Sequence, residues 1–135
     1  MAFLVFYVTH PNEETARRIA GRMVEERLAA CANIFPIQSA YWWHGAVQHE
    51  GEWVSILKTR TELETALEQA IRKAHPYEVP CIVRYAARAN TDYEQWIRDS
   101  TDAPKVAGRS GYVAAGTACR VLGKVSRGTR RTRPP

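Results

Sequence analysis

Two β-rich runs, Cys31–Trp43 (CANIFPIQSAYWW) and Ala46–Arg60 (AVQHEGEWVSILKTR), are separated only by His44-Gly45. A two-residue connector ending in glycine is a hairpin signal, so the runs pair antiparallel. They are 13 and 15 residues long, against roughly 5–6 for an ordinary strand. A ribbon of that length overruns the sheet it grows from, and its exposed edges call for cover from a second chain. Pro36 cannot donate to a ladder, which puts the first run at a sheet edge or a bulge.

The rest of the chain supplies the elements around this hairpin. Residues 2–10 (AFLVFYVTH) are apolar and β-branched and end at Pro11, as a buried strand does. The run has no basic residue before it and leads into His10-Pro11-Asn12-Glu13, so it reads as a strand, and no signal peptide is expected. Asn12 is placed to cap a helix in which Ala16, Ile19, Ala20, Met23, Val24 and Leu28 recur at helical spacing. Thr61 and Glu64 match a capping box before a second amphipathic helix carrying Leu63, Ala66, Leu67, Ala70, Ile71 and Ala74. His75-Pro76 ends it, because a residue before proline disfavours the α region. A strand over 81–87 follows, and Asn90-Thr91-Asp92 opens a short helix with Tyr93, Trp96 and Ile97. The order β-α-β-β-α-β plus a short helix is the α+β, ferredoxin-like split βαβ, with two helices on one face of an antiparallel sheet.

Charge divides the chain in two. The net +5 and the pI near 9.4 suggest an anionic partner. Residues 1–100, however, hold 11 basic against 13 acidic residues, while residues 101–135 hold eight basic residues and Asp102 alone. The domain expected at 1–100 is therefore slightly acidic, and the basic excess belongs to a Gly-, Pro- and Arg-rich tail at 101–135 whose composition predicts disorder or loose packing. Nucleic acid is an expected partner only for that tail, since phosphate contacts need Lys or Arg. No apolar run is long enough to span a bilayer. Three cysteines at irregular spacing predict no disulfide scaffold and a reducing, cytoplasmic setting.

Motifs for phosphate loops, zinc knuckles, HExxH metalloenzymes and serine elbows are missing from the sequence, so no enzyme is indicated. The chemistry on offer is a set of soft ligands: Cys31, Cys81, His10, His44, His49 and His75. Thiolate and imidazole suit copper and zinc, and His75 and Cys81 bracket a Pro-Tyr-Glu-Val-Pro turn. The plainer reading makes both cysteines small buried apolar residues and His75 a helix terminator. Tyr41-Trp42-Trp43, with Trp53 expected on the strand opposite, reads as a subunit interface in preference to a base-stacking platform. Lys58, in the apolar SILKT run, is a candidate to hold an anion or to pair with Glu50 or Glu52, and otherwise a solvated strand residue.

Together, LAACANI at 28–34, SAYWWHG at 39–45, EWVSILKT at 52–59, HPYEVP at 75–80 and DYEQWI at 92–97 resemble the divalent-cation-tolerance (CutA) family, in order and spacing, over about residues 3–100. The resemblance implies a ferredoxin-like homotrimer in which hairpin strands of neighbouring chains pair. It also implies clefts between subunits like those of PII signalling proteins, and binding of divalent cations, copper above all, without catalysis. His75, Tyr77 and Glu78 match the family's cleft-forming turn, and Trp42, Lys58 and Cys31 stand at matching positions. Cys81 occupies a place where the family usually has an acidic residue, which makes a site formed by Cys31, His75 and Cys81 softer and suited to copper. The alternative is a PII-like module that takes a small anion or metabolite in the same cleft through Lys58, Trp42 and Tyr77.

Overall fold

A computed structural model describes residues 1–102. The elements are β1 (Phe3–His10), α1 (Glu13–Glu25), β2 (Cys31–Trp43), β3 (Ala46–Arg60), a 3-10 turn (Thr61–Leu63), α2 (Glu64–Ala74), β4 (Ile82–Ala87) and α3 (Thr91–Ser100). They form a mixed α+β domain around one four-stranded sheet of order β2-β3-β1-β4. Every neighbouring pair is antiparallel.

β1 lies between β3 and β4, and its alternation builds two cores. Leu4, Phe6 and Val8 pack with Ile19, Ala20 and Met23 of α1, Leu57 of β3, and Leu67 and Ile71 of α2. Phe3 and Val5, on the opposite face, pack with Ala30 and Ile97, flanked by Tyr93 and Trp96 of α3. The sheet thus carries α1 and α2 on one face and α3 over part of the other. α3 covers only one end of that face: Tyr85 and Val83 of β4, paired with Val5 and Tyr7, remain 53% and 49% exposed.

The hairpin has the expected boundaries. His44 and Gly45 have φ of +49° and +75°, the left-handed pair that a primed two-residue turn requires. Pro36 lies in edge strand β2, opposite Trp53, with unbroken register on both sides. β1 ends at the His10–Trp53 pair, so residues 46–52 of β3 are paired only with β2. That seven-residue stretch is a two-stranded ribbon projecting about 23 Å past the sheet. Trp53 does not stand opposite Trp42: the partner of Trp42 is Val47.

Three local expectations change. α1 ends at Glu25, short of Leu28, because Arg27 adopts φ of +59°. The Leu28 N–H then bonds Met23 O at 2.9 Å and the Arg27 N–H bonds Val24 O at 3.1 Å, which is a Schellman closure made without glycine. The Thr61–Glu64 capping box does not form: the Glu64 N–H that the Thr61 hydroxyl would have capped is bonded to Thr61 O in the 3-10 turn. Thr101 and Asp102, assigned to the tail by composition, belong with the domain. Thr101 is buried and accepts a 2.9 Å bond from Arg60 Nε, and the Arg60 guanidinium also pairs with Asp102. The remainder of the predicted tail lies outside the described residues.

Leu57 is 1% exposed between the sheet and both helices. Leu57→Ala is expected to cost about 2–5 kcal/mol through lost transfer energy and the cavity left behind. The check is a lowered urea midpoint at unchanged slope.

Candidate functional site

The turn HPYEVP is held against the end of β1 and the middle of β3 by a chain of buried polar contacts. His75 closes α2 in an extended conformation, φ −75° and ψ 136°, as its following proline demands. Its Nε2 lies 2.7 Å from Thr9 O. A carbonyl only accepts, so Nε2 carries the proton and Nδ1 is left as an acceptor. Nδ1 receives the Tyr77 N–H at 3.1 Å. The His75 ring stacks on His10, centroids 5.3 Å apart, and His10 Nε2 is 2.7 Å from Ser55 Oγ. The Tyr77 hydroxyl donates to Glu52 Oε2 at 3.2 Å, with Glu52 1% exposed.

Electrostatics fit this burial. Burial first, then the adjacent His75 and the Arg18 charge, lower the His10 pKa from 6.5 to about 3, so the ring is neutral at physiological pH. Burial, followed by the negative potentials of Cys81 and Glu52, raises the Tyr7 phenol above its ordinary value. Ser55 and His10 have the spacing of a nucleophile and base, yet both are completely buried. Their bond braces β1 to β3.

The expected site residues fall in three places. At the turn, His75 and Tyr77 are buried, while Glu78 and Cys81 are exposed, with Cys81 immediately before β4. Trp42 is 72% exposed on the projecting ribbon. Cys31 and Lys58 form a directly opposed pair at the far end of β2 and β3. Lys58 pairs with β1 at Val5, whereas the turn touches β1 at Thr9 and His10. Five residue steps along β3, from Trp53 to Lys58, separate the two ends, about 17 Å.

One expectation is corrected by this geometry, the Lys58 ion pair, and one candidate set is not gathered within a single chain. Cys31, His75 and Cys81 do not converge in one chain, because the sheet places Cys31 at the opposite end, and both His75 ring nitrogens are engaged in hydrogen bonds. Among the described residues no group of three His, Cys, Asp or Glu is placed to hold a metal ion. Lys58 does not pair with Glu50 or Glu52. Its ammonium bonds Asn33 Oδ1 at 3.4 Å and the Tyr93 hydroxyl at 3.3 Å. Reading the sequence alone missed Glu52, Ser55 and His10 as one buried polar group. The available signal was His10 and Ser55, polar residues in otherwise apolar runs, whereas Glu52 follows the polar run QHEG and carried no such mark.

The His10 shift sets a pH dependence. The unfolded chain takes up a proton on this ring near 6.5, the folded chain only near 3. Stability is therefore fully present above 6.5 and declines as pH falls from 6.5 toward 3, at up to about 1 kcal/mol per pH unit. Urea midpoints measured from pH 7 to 4 should fall, and His10→Asn should flatten that slope. Tyr77→Phe, which removes a hydrogen bond to a buried carboxylate, should cost about 1–3 kcal/mol at pH 7.

Residues 4–100 match the model of the family described as CutA1 divalent ion tolerance protein. The divalent-cation tolerance protein CutA of Thermotoga maritima is 43% identical over 98 residues, which are 72% of this chain and 97% of that one. A chloroplastic CutA 1 of rice is also 43% identical over 100 residues, 73% of this chain but only 56% of the longer rice protein. Among solved structures, the crystal structure of CutA1 from Oryza sativa superposes with a TM-score of 0.73 at 41% identity, covering 76% of this chain and 95% of that one. With the family's sequence pattern and fold both present over the described domain, the chain belongs to the CutA1 divalent ion tolerance family.

Proposed function

We propose that this protein is a non-enzymatic divalent-cation tolerance protein. In this reading three ferredoxin-like copies associate as in a PII-like trimer, and cation contacts form where the copies meet. The observation that carries the reading is the turn after α2. It is fixed from beneath by His75 and Tyr77, and it presents the Glu78 carboxylate and the free Cys81 thiol outward. One chain does not complete a three-donor site among its described residues, so the remaining donors come from a neighbour. Thiolate beside carboxylate favours copper or zinc over magnesium or calcium. His75 acts as a positioning residue in this reading and not as a ligand.

Uncovered apolar surface supports assembly. Tyr85 and Val83 lie on edge strand β4, and Phe35 on edge strand β2 is 36% exposed. Trp42 and Val47 form an exposed pair on a ribbon of a kind that is marginal in water by itself. Free thiols at Cys31 and Cys81 accord with a reducing, cytoplasmic location.

Sedimentation equilibrium with copper and zinc titration tests both parts. The expected results are three times the 15.3 kDa chain mass and a copper affinity that falls about tenfold, ~1.4 kcal/mol, in Cys81→Ser. A monomer overturns the assembly, and unchanged copper affinity in Cys81→Ser overturns the ligand assignment.

A further inference from the structure

At the end of the sheet away from the HPYEVP turn, α3 packs against the root of the hairpin and closes a second polar group. Cys31 and Lys58 are direct cross-strand partners, so their side chains leave the same face of the sheet. Asn33, two residues along β2, shares that face. Tyr93 comes down from the first turn of α3. Its hydroxyl is 3.3 Å from Lys58 Nζ and 3.6 Å from Cys31 Sγ, and Lys58 Nζ lies 5.5 Å from its ring centroid.

The charge balance of this group is one-sided. Lys58 is half-buried, and its partners are neutral: one amide oxygen, one phenol oxygen and one aromatic face. Among the described residues no carboxylate pairs with it. An ammonium has three N–H donors, and bonds at 3.3 and 3.4 Å lie beyond the usual N–H···O range. The neighbours add further donors. Asn33 turns its oxygen toward Lys58, which leaves the two N–H bonds of its amide to point elsewhere. Tyr93 accepts from Lys58, and its hydroxyl also meets Cys31 Sγ in a contact in which either atom can be the donor. Burial and the adjacent Cys31 hold its phenol well above the ordinary range, so it keeps its proton. A fixed cation whose only partners among the described residues are neutral, and which no described carboxylate neutralises, is complementary to an oxyanion.

We propose that Lys58, Asn33 and Tyr93 form an oxyanion-binding site beside the Cys31 thiol, taking a carboxylate or phosphate group on a small molecule. The site is separate from the cation contact at the turn and does not depend on it. It also differs from the anion cleft expected from the sequence, because Trp42 and Tyr77 lie elsewhere. Occupancy places a negative group next to Cys31, which shields the thiol from a negatively charged or bulky alkylating reagent.

The test is residue-resolved alkylation of the full-length protein by iodoacetate, with inorganic phosphate or acetate as the probe and chloride at matched ionic strength as the control. Cys81, exposed at the other end of the sheet, is the internal reference. At ten times its dissociation constant, either probe is expected to slow Cys31 alkylation roughly tenfold relative to Cys81, by mass action. Lys58→Gln should remove that protection and Lys58→Arg should retain it, with thermal melting confirming that both variants are folded. Protection by phosphate alone assigns the site to phosphate, and protection by acetate alone to carboxylate. Equal rates in either anion and in chloride overturn the proposal, as does protection that persists in folded Lys58→Gln. If Lys58→Gln does not fold, Tyr93→Phe replaces it with the same two outcomes.

Discussion

Strand β1 is the constraint on which everything else depends. It is hydrogen-bonded along both edges, to β3 over Phe3–His10 and to β4 over six residues. It is also covered on both faces, with Phe6 and Val8 wholly buried. A strand with period-2 side chains and two buried faces tolerates no slip in register, since a one-residue shift would exchange the contents of the two cores. That register fixes which β3 residues lie over the helices and which lie under α3. It therefore decides that Ser55 meets His10 and that Lys58 stands opposite Val5 on the α3 face.

The same register gives the sheet two polar ends of opposite character. One end holds neutral imidazoles and a buried carboxylate beneath an exposed thiol and acid. The other holds an ammonium among neutral partners beneath α3. The buried contacts of the first end link His10, Ser55, His75, Tyr77 and Glu52, and the low dielectric around them makes each bond costly to lose. They hold the turn in place. The second end is less complete, with longer bonds and a cation lacking a carboxylate, which is the condition of a site that takes a ligand.

Elements with a strong local signal were legible from the residues. The His44-Gly45 turn, the edge position forced by Pro36, the Asn12 cap (whose Oδ1 accepts from the Thr15 N–H at 2.8 Å) and the helix stop at His75-Pro76 follow from backbone chemistry within a few residues. The early end of α1 was not legible, because a non-glycine residue in the left-handed region leaves no mark in composition. Its cause is tertiary: Arg27 Nη1 reaches Ser100 O at the end of α3, at 3.2 Å. The capping box failed for a related reason, since a 3-10 turn satisfied the same N–H first. The boundary at residue 100 moved because Arg60, 41 residues away in sequence, binds Thr101.

The sequence by itself determined the elements, their order, the long hairpin and the family. Each of these rests on residue periodicity, on turn chemistry or on motifs that lie within short stretches of chain. It named most of the candidate side chains but could not group them. Cys31, His75 and Cys81 read as one set because they share a chemistry. Only the tertiary structure separated them, because strand register converts sequence distance into position along a sheet, and Cys31 lies at the end opposite the HPYEVP turn. By the same register Tyr93, read from the sequence only as a residue of a short helix, came to stand between Lys58 and Cys31.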